Sequence, residues 1–204
     1  MLLTMQLCFS KEKKNVLEGK VIIIDPGHGG KDAGTSYEDV MEKDVNLDIS
    51  LLLKNKLEKL GVIVLMTRDG DYDLSSPGID RRKKSDFDNR INLINNSSAD
   101  LYLSIHINYL DDKKVYGAQT FYTSGNEDLA NLVQKEFGIM LNSPLDSKKL
   151  DNSIYMYKKL NIPGVLIECG FISNDKDRKR ILSNDYSEKL SNAIINAIVN
   201  YYSL

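Results

Sequence analysis

The chain has 204 residues, enough for one well-buried domain and short for two. Apolar residues make up 42% and charged residues 27%, ordinary values for a globular domain. With 27 Lys plus Arg against 29 Asp plus Glu the net charge is −2, so bulk electrostatics gives no reason to expect nucleic acid as a partner.

Met1 to Ser10 is largely apolar and runs into Lys11-Glu12-Lys13-Lys14. It is too short to span a bilayer and lacks the basic residues that precede the apolar core of a secretory signal. Residues 1–18 read as a leader: the tail of an export signal or anchor, ahead of the alternative of a plain disordered segment. Export, with membrane or lipoprotein association through this segment, is the expectation. Cys8 does not look like a lipidated cysteine, because Leu7 is not the small residue that processing requires. The other cysteine, Cys169, lies far away in a buried-looking strand, and no disulfide is expected.

From Gly19 to the C-terminus the sequence reads as one domain. Val21–Asp25 is a β-branched run broken by Pro26-Gly27, the pattern of a buried strand followed by a loop. Val45, Ile49, Leu52, Leu53, Leu57 and Leu60 recur at helical spacing, and Gly61 stands where a helix would be capped. A strand is predicted over Val62–Thr67, a helix over Phe87–Asn95, a strand over Leu101–Ile107 and another over Ala118–Tyr122. Leu129, Leu132, Val133 and Met140 mark an amphipathic helix with Glu136 exposed. Gly164–Ile167 reads as a strand and Ser187–Tyr201 as a closing helix. Such alternation predicts a single α/β domain, 19–204, with a twisted, mainly parallel sheet and helices on both faces.

In sheets of this kind ligands gather beyond the carboxyl ends of the strands. Three apolar runs end there in reactive residues: Asp25 leading to His28, Ile105 to His106, and Ile167 to Glu168. The chain has only two histidines, and both stand at such ends. Singly, a histidine or glutamate at a strand end is usually a hydrogen-bonded or capping residue. Jointly, two imidazoles and a carboxylate make the donor set of a zinc site with an open position. Glu42, directly before the first long helix, is the better candidate for the third ligand. The Gly29–Gly34 loop lacks the lysine ending of a phosphate-binding loop and the glycine spacing of a dinucleotide site.

Four segments, Asp25-Pro26-Gly27-His28-Gly29-Gly30, Glu42-Lys43, Ser104-Ile105-His106-Ile107-Asn108 and Glu168-Cys169-Gly170-Phe171-Ile172-Ser173-Asn174, resemble in order the motifs of the zinc-dependent N-acetylmuramoyl-L-alanine amidases. The match runs from about Gly19 to the C-terminus. Within Asp71–Arg90, the layout of Asp73-Leu74, Gly78, Arg81-Arg82-Lys83 and Arg90 is similar to the germination-specific, spore-cortex branch of that family. The resemblance implies Zn2+ held by His28, Glu42 and His106, with Glu168 as the catalytic carboxylate. It implies hydrolysis of the amide between the lactyl group of muramic acid and L-alanine of the peptidoglycan stem peptide. Glu168 would act as general base and then acid. The place of action it implies is the cell envelope or the forespore intermembrane space.

Asn108 alternates onto the face of His106 and is a candidate substrate contact. Arg81, Arg82 and Arg90 are further candidates, against the plainer reading of the Arg81–Lys84 run as a solvated loop. Cys169 has no spare histidine as a base and reads as a packing residue. The rival functions are a zinc peptidase acting on another amide and a catalytically silent wall-binding module, with an activating protein partner left open. A silent module would have no chemical need for Glu168.

Overall fold

The computed structural model describes residues 15–151 and 154–204. In chain order these form β1 (Val21–Pro26), a hairpin of β2 (Ser36–Tyr37) and β3 (Val40–Met41), and α1 (Glu42–Glu58). Then come β4 (Ile63–Met66), α2 (Arg82–Asn95), β5 (Leu101–Asn108), β6 (Gln119–Tyr122) and α3 (Glu127–Leu141). The chain closes with β7 (Lys148–Lys149), a 3-10 turn (Tyr157–Lys159), β8 (Gly164–Phe171), α4 (Asp175–Ile181) and α5 (Asn184–Tyr201).

Six strands make one sheet in the order β4-β1-β5-β8-β6-β7. β4, β1, β5 and β8, from one edge inward, run parallel, and β6 joins β8 antiparallel. The expected mainly parallel α/β sheet with helices on both faces is therefore present. Parallel strands are covered on both sides, which is why β1, β5 and β8 read as nearly unbroken apolar runs.

Strand alternation sorts their side chains onto two unequal faces. One face carries Ile22, Ile24, Leu103, Ile105, Val165 and Ile167, all packed into the main core. Over it lie Val45, Ile49, Leu53 and Leu57 of α1, Leu129, Val133 and Phe137 of α3, and Leu190, Ile194 and Ile198 of α5. The other face is covered by α2 and by the segment leading into the 3-10 turn, through Ile91, Ile94, Met156 and Tyr157 against Ile23, Tyr102 and Leu166.

Several boundaries differ from expectation for identifiable reasons. Helix α1 begins at Glu42 itself, so that its carboxylate sits at the positive end of the helix, where negative charge is stabilised. Helix α2 starts five residues before Phe87, through Arg82-Lys83-Lys84-Ser85-Asp86, whose polarity hid its periodicity. Strand β8 continues past Ile167 to Phe171, placing Glu168 inside the strand rather than at its end. Glu136 is half-buried and accepts from Asn196 Nδ2 at 3.3 Å, where an exposed position was expected. The hairpin β2–β3, β7 and α4 are too short for periodicity to mark. Helix α4 nevertheless carries a clear local start: Asn174 Oδ1 accepts from Lys176 N and Asp177 N, both at 3.0 Å.

Packing already includes Leu17, which is fully buried against the main core. Cys169 is a free, buried thiol on that same main-core side, away from the reactive strand face, and burial pushes its pKa well up. Cys8 and the rest of the apolar start fall outside the described residues. Among the described residues no helix is long and apolar enough to cross a membrane.

Candidate metal centre

The centre begins with the turn after β1. His28 has a φ of 62°, a left-handed conformation that a non-glycine residue adopts at a cost of about 1–3 kcal/mol. Two buried arginines hold it there. The Arg68 guanidinium donates to Pro26 O at 3.0 Å and to Gly27 O at 2.9 Å. That of Arg90 donates to Pro26 O at 2.8 Å and also to His28 O. Every carbonyl of the turn is thus tied to a cation, and the His28 ring is aimed back over the sheet. The glycine-rich loop beyond is pinned by Asp71, which accepts from Gly30 N at 2.8 Å and pairs with Lys43 at 2.7 Å.

His28, Glu42 and His106 come together although they lie on a loop, a helix start and a strand. One donor atom from each lies within 4.8 Å of the other two. Glu42 Oε1 is 3.2 Å from His28 Nε2 and 3.0 Å from His106 Nδ1. Its Oε2 accepts from Thr35 N at 2.8 Å, which keeps the carboxylate from turning away. Burial alone would raise the Glu42 pKa, but the hydrogen bonds and charge of His106 and His28 hold it far below the ordinary value. For His28, burial opposes protonation and Glu42 and Asp32 outweigh it, so its pKa is raised.

Two glycines make this convergence sterically feasible. A Cβ at Gly27 would stand 2.2 Å from the His106 ring, and one at Gly34 would stand 2.5 Å from Glu42 Oε2. Neither position tolerates any side chain without displacing a member of the triad.

Glu168 is the register partner of His106 across β5 and β8, so both side chains leave the sheet on the same side. Its Oε2 is buried and has no hydrogen-bond partner among the described residues. Burial, and secondarily the charge of Glu42, push its pKa well up. An orphaned carboxyl oxygen beside three convergent donors is what a site completed by a metal ion and its ligands would leave. The residues therefore fit a divalent metal with an open coordination position.

An open trough of about 500 Å³ exposes the centre, lined by His28, Asp32, Glu42, Lys83, His106, Asn108 and Glu168 among others. Asn108 thus lies where the sequence placed it, beside His106. The basic run divides. Arg81 is exposed at the start of α2, and Arg82 is engaged by Asp73 at 2.6 Å. Lys83, which the sequence offered only as a member of the basic run, reaches the trough, with its amine 3.9 Å from Asp32. Arg90 is only 1% exposed and is committed to Asp25 at 2.7 Å and Asp86 at 3.0 Å. It braces the His28 turn: four of its five N–H groups are spent on Asp86, Asp25, Pro26 O and His28 O, and it does not line the trough.

Sequence reasoning also passed over Asp32, whose Oδ2 lies 3.1 Å from His28 Nδ1. It sits inside the glycine-rich loop, where an isolated aspartate looks like an ordinary turn residue. Tyr157 was hidden in a partly apolar stretch, yet its hydroxyl lies 3.3 Å from His106 Nε2.

The model of the N-acetylmuramoyl-L-alanine amidase family matches residues 22–200. The germination-specific N-acetylmuramoyl-L-alanine amidase of Bacillus subtilis is 37% identical over 193 residues, covering 92% of this chain and 81% of that protein. The amidase LytC of the same organism is 31% identical, with 95% of this chain covering 38% of it. Among solved structures, the CwlD amidase from Clostridioides difficile, in complex with the GerS lipoprotein, superposes with a TM-score of 0.86. It is 37% identical and covers 91% of this chain and 99% of that one. With its motifs assembled into one centre and the family match spanning nearly the whole fold, the chain belongs to the N-acetylmuramoyl-L-alanine amidase family.

Proposed function

We propose that this amidase hydrolyses the bond between the lactyl group of N-acetylmuramic acid and L-alanine of the stem peptide in spore-cortex peptidoglycan, with zinc as its metal. The observation that carries the reading is Glu168 in register with His106, its Oε2 unpartnered beside the His28–Glu42–His106 group. The cortex assignment rests on the 37% identity to a relative named germination-specific.

His28, Glu42 and His106 would hold the zinc, since neutral imidazoles and a carboxylate are its preferred ligands when one position stays open. When bound, zinc polarises a carbonyl and lowers the pKa of water toward about 7. Glu168 takes the proton from the attacking water and returns it to the departing L-alanine amine. The burial that makes its charged form costly also makes it a strong proton acceptor. Asn108 and Lys83 face the trough and supply a neutral donor and a cation for the amide and carboxylate groups of the stem peptide. Arg81, exposed just before α2, is a further cation of the basic run that would meet substrate.

The setting we propose is the cell envelope or forespore intermembrane space, reached through residues 1–18, with residues 19–204 as the catalytic domain. A protein partner for activation is part of this reading, supported by the lipoprotein complex of the Clostridioides difficile relative.

Mass spectrometry of digested cortex peptidoglycan tests the reading. Whole stem peptides with a free L-alanine amine should appear, together with muramic acid bearing a free lactyl carboxylate. New reducing ends would mean a glycosidase, and cuts inside the stem would mean a peptidase. Either as the main product defeats the proposal.

A further inference from the structure

Behind His106 runs a line of buried hydroxyls that the reaction itself does not use. Tyr157, on the opposite side of the ring from Glu42, contacts His106 Nε2 at 3.3 Å and Ser104 Oγ at 3.0 Å. Ser104 Oγ in turn donates to Asp25 Oδ2 at 2.9 Å. The other oxygen of Asp25 accepts from Thr67 Oγ1 and from Arg90 Nη1, each at 2.7 Å. Ser104 is fully buried, Asp25 is 1% exposed and Tyr157 is 7% exposed.

The chemistry of these groups gives the line a direction. Asp25 is held ionised: burial would raise its carboxyl, but Arg90 and Thr67 bring it below its ordinary value. A carboxylate can only accept, so Ser104 must donate to it. The serine oxygen then has only lone pairs left for Tyr157, and the tyrosine hydrogen goes to serine. What Tyr157 offers His106 is therefore a lone pair, which calls for a hydrogen on Nε2. A metal-ligating imidazole is neutral and carries one hydrogen, so in that form Nδ1 is bare on the side of Glu42 and His28, and its metal-free hydrogen bond to Glu42 gives way to the ion.

We propose that Tyr157 is a positioning residue for the metal centre: through Ser104 and Asp25 it holds His106 in the tautomer that presents Nδ1 as the metal ligand. His28 is set the opposite way. Asp32 lies against its Nδ1, leaving Nε2 toward Glu42. Each ligand ring thus has a carboxylate behind it, Asp32 at ion-pair distance for His28 and Asp25 across two hydroxyls for His106. Outer groups of this kind typically change metal affinity by about 10- to 100-fold when removed. The inference rests on the proposed zinc site and concerns how that site is prepared.

With only two histidines in the chain, long-range 1H–15N spectra of zinc-loaded protein resolve both rings. The expected result is opposite tautomers: a hydrogen on Nδ1 of His28 and on Nε2 of His106. Chelator competition should show zinc binding weakened by about 10- to 100-fold in Tyr157→Phe. The thermal midpoint of the metal-free form should stay close to wild type, because the ring and its packing are kept. Ser104→Ala keeps the tyrosine contact but frees the direction of its hydrogen, and should weaken zinc as well. Wild-type zinc affinity in Tyr157→Phe, or a hydrogen found on Nδ1 of zinc-bound His106, would overturn the inference alone. Absence of stoichiometric zinc in the wild type would overturn the metal assignment beneath it.

Discussion

The two faces of the sheet are made by the same strands and diverge along their length. On the α1/α3/α5 side, β5 contributes Leu101, Leu103, Ile105 and Ile107, apolar from start to finish. On the α2 side the same strand contributes Tyr102, then Ser104, His106 and Asn108. The gradient repeats in β1, from Ile23 to Asp25, and in β8, from Leu166 to Glu168. One face therefore stores the hydrophobic stabilisation, while the other converts from core to chemistry toward the carboxyl ends of the strands. A period of two lets both programmes share one backbone, because neighbouring residues point opposite ways. The polar face is kept from swelling by buried ion pairs rather than by apolar packing, with Arg90 between Asp25 and Asp86 at its centre.

That contrast can be broken from either side. The largest effect belongs to His28→Ala and His106→Ala. Each removes one of the three proposed ligands at the open end of the sheet, so bound zinc and amidase turnover should both be lost while far-ultraviolet circular dichroism is kept. Metal analysis after gel filtration checks this, and a variant that keeps stoichiometric zinc would refute its ligand role.

Glu168→Gln should retain zinc and lose turnover by a factor on the order of 10² to 10⁴. The same change has a second signature in metal-free protein. Burial raises the Glu168 carboxyl above its ordinary 4.5, so the folded state keeps the proton longer than the unfolded chain does. Wild-type stability should then fall as pH rises from about 4.5 toward the raised value, and the glutamine variant should lack that component. Thermal midpoints across this range measure it. Parallel curves for the two proteins would mean that Glu168 is not desolvated.

Arg90→Met should cost about 3–5 kcal/mol, since it strands Asp25 and Asp86 as buried, unpaired charges. Leu53→Ala, on the apolar face, should cost about 2–5 kcal/mol by cavity formation. The difference lies in the site. Arg90→Met also frees the His28 carbonyl and leaves Pro26 O to Arg68 alone, and should weaken zinc binding, whereas Leu53→Ala should leave the affinity of the folded protein unchanged. Denaturant melts combined with zinc titration separate the two. Smallest of all, Lys83→Ala should raise KM for a muropeptide by at most about 5-fold with zinc affinity unaltered, as expected for an exposed charge.

Much of this molecule is legible before folding. The apolar runs that end in Asp25, His106 and Glu168 announce both the strands and the reactive ends, because a buried strand cannot carry such groups without a partner or a purpose. Glu42 was identifiable by its place ahead of a strongly periodic helix. The extra turn of α2 was not, since Arg82–Asp86 has no apolar stripe and is helical through contacts such as Asp86 Oδ1 with Leu74 N at 2.7 Å. Arg90 looked like a substrate cation for a related reason: its burial depends on Asp25, 65 residues away in sequence.

What the sequence determined by itself was the order of strands and helices, the α/β class and the identity of the metal-ligating and catalytic candidates, all properties carried by local pattern and residue type. Tertiary structure alone decided which charges are buried, which residue of the basic run reaches the trough, and how His28 and His106 are oriented. Those depend on distances between segments far apart in the chain. Tyr157 meets His106 across 51 residues, and no periodicity or motif encodes a hydroxyl 3.3 Å from an imidazole nitrogen.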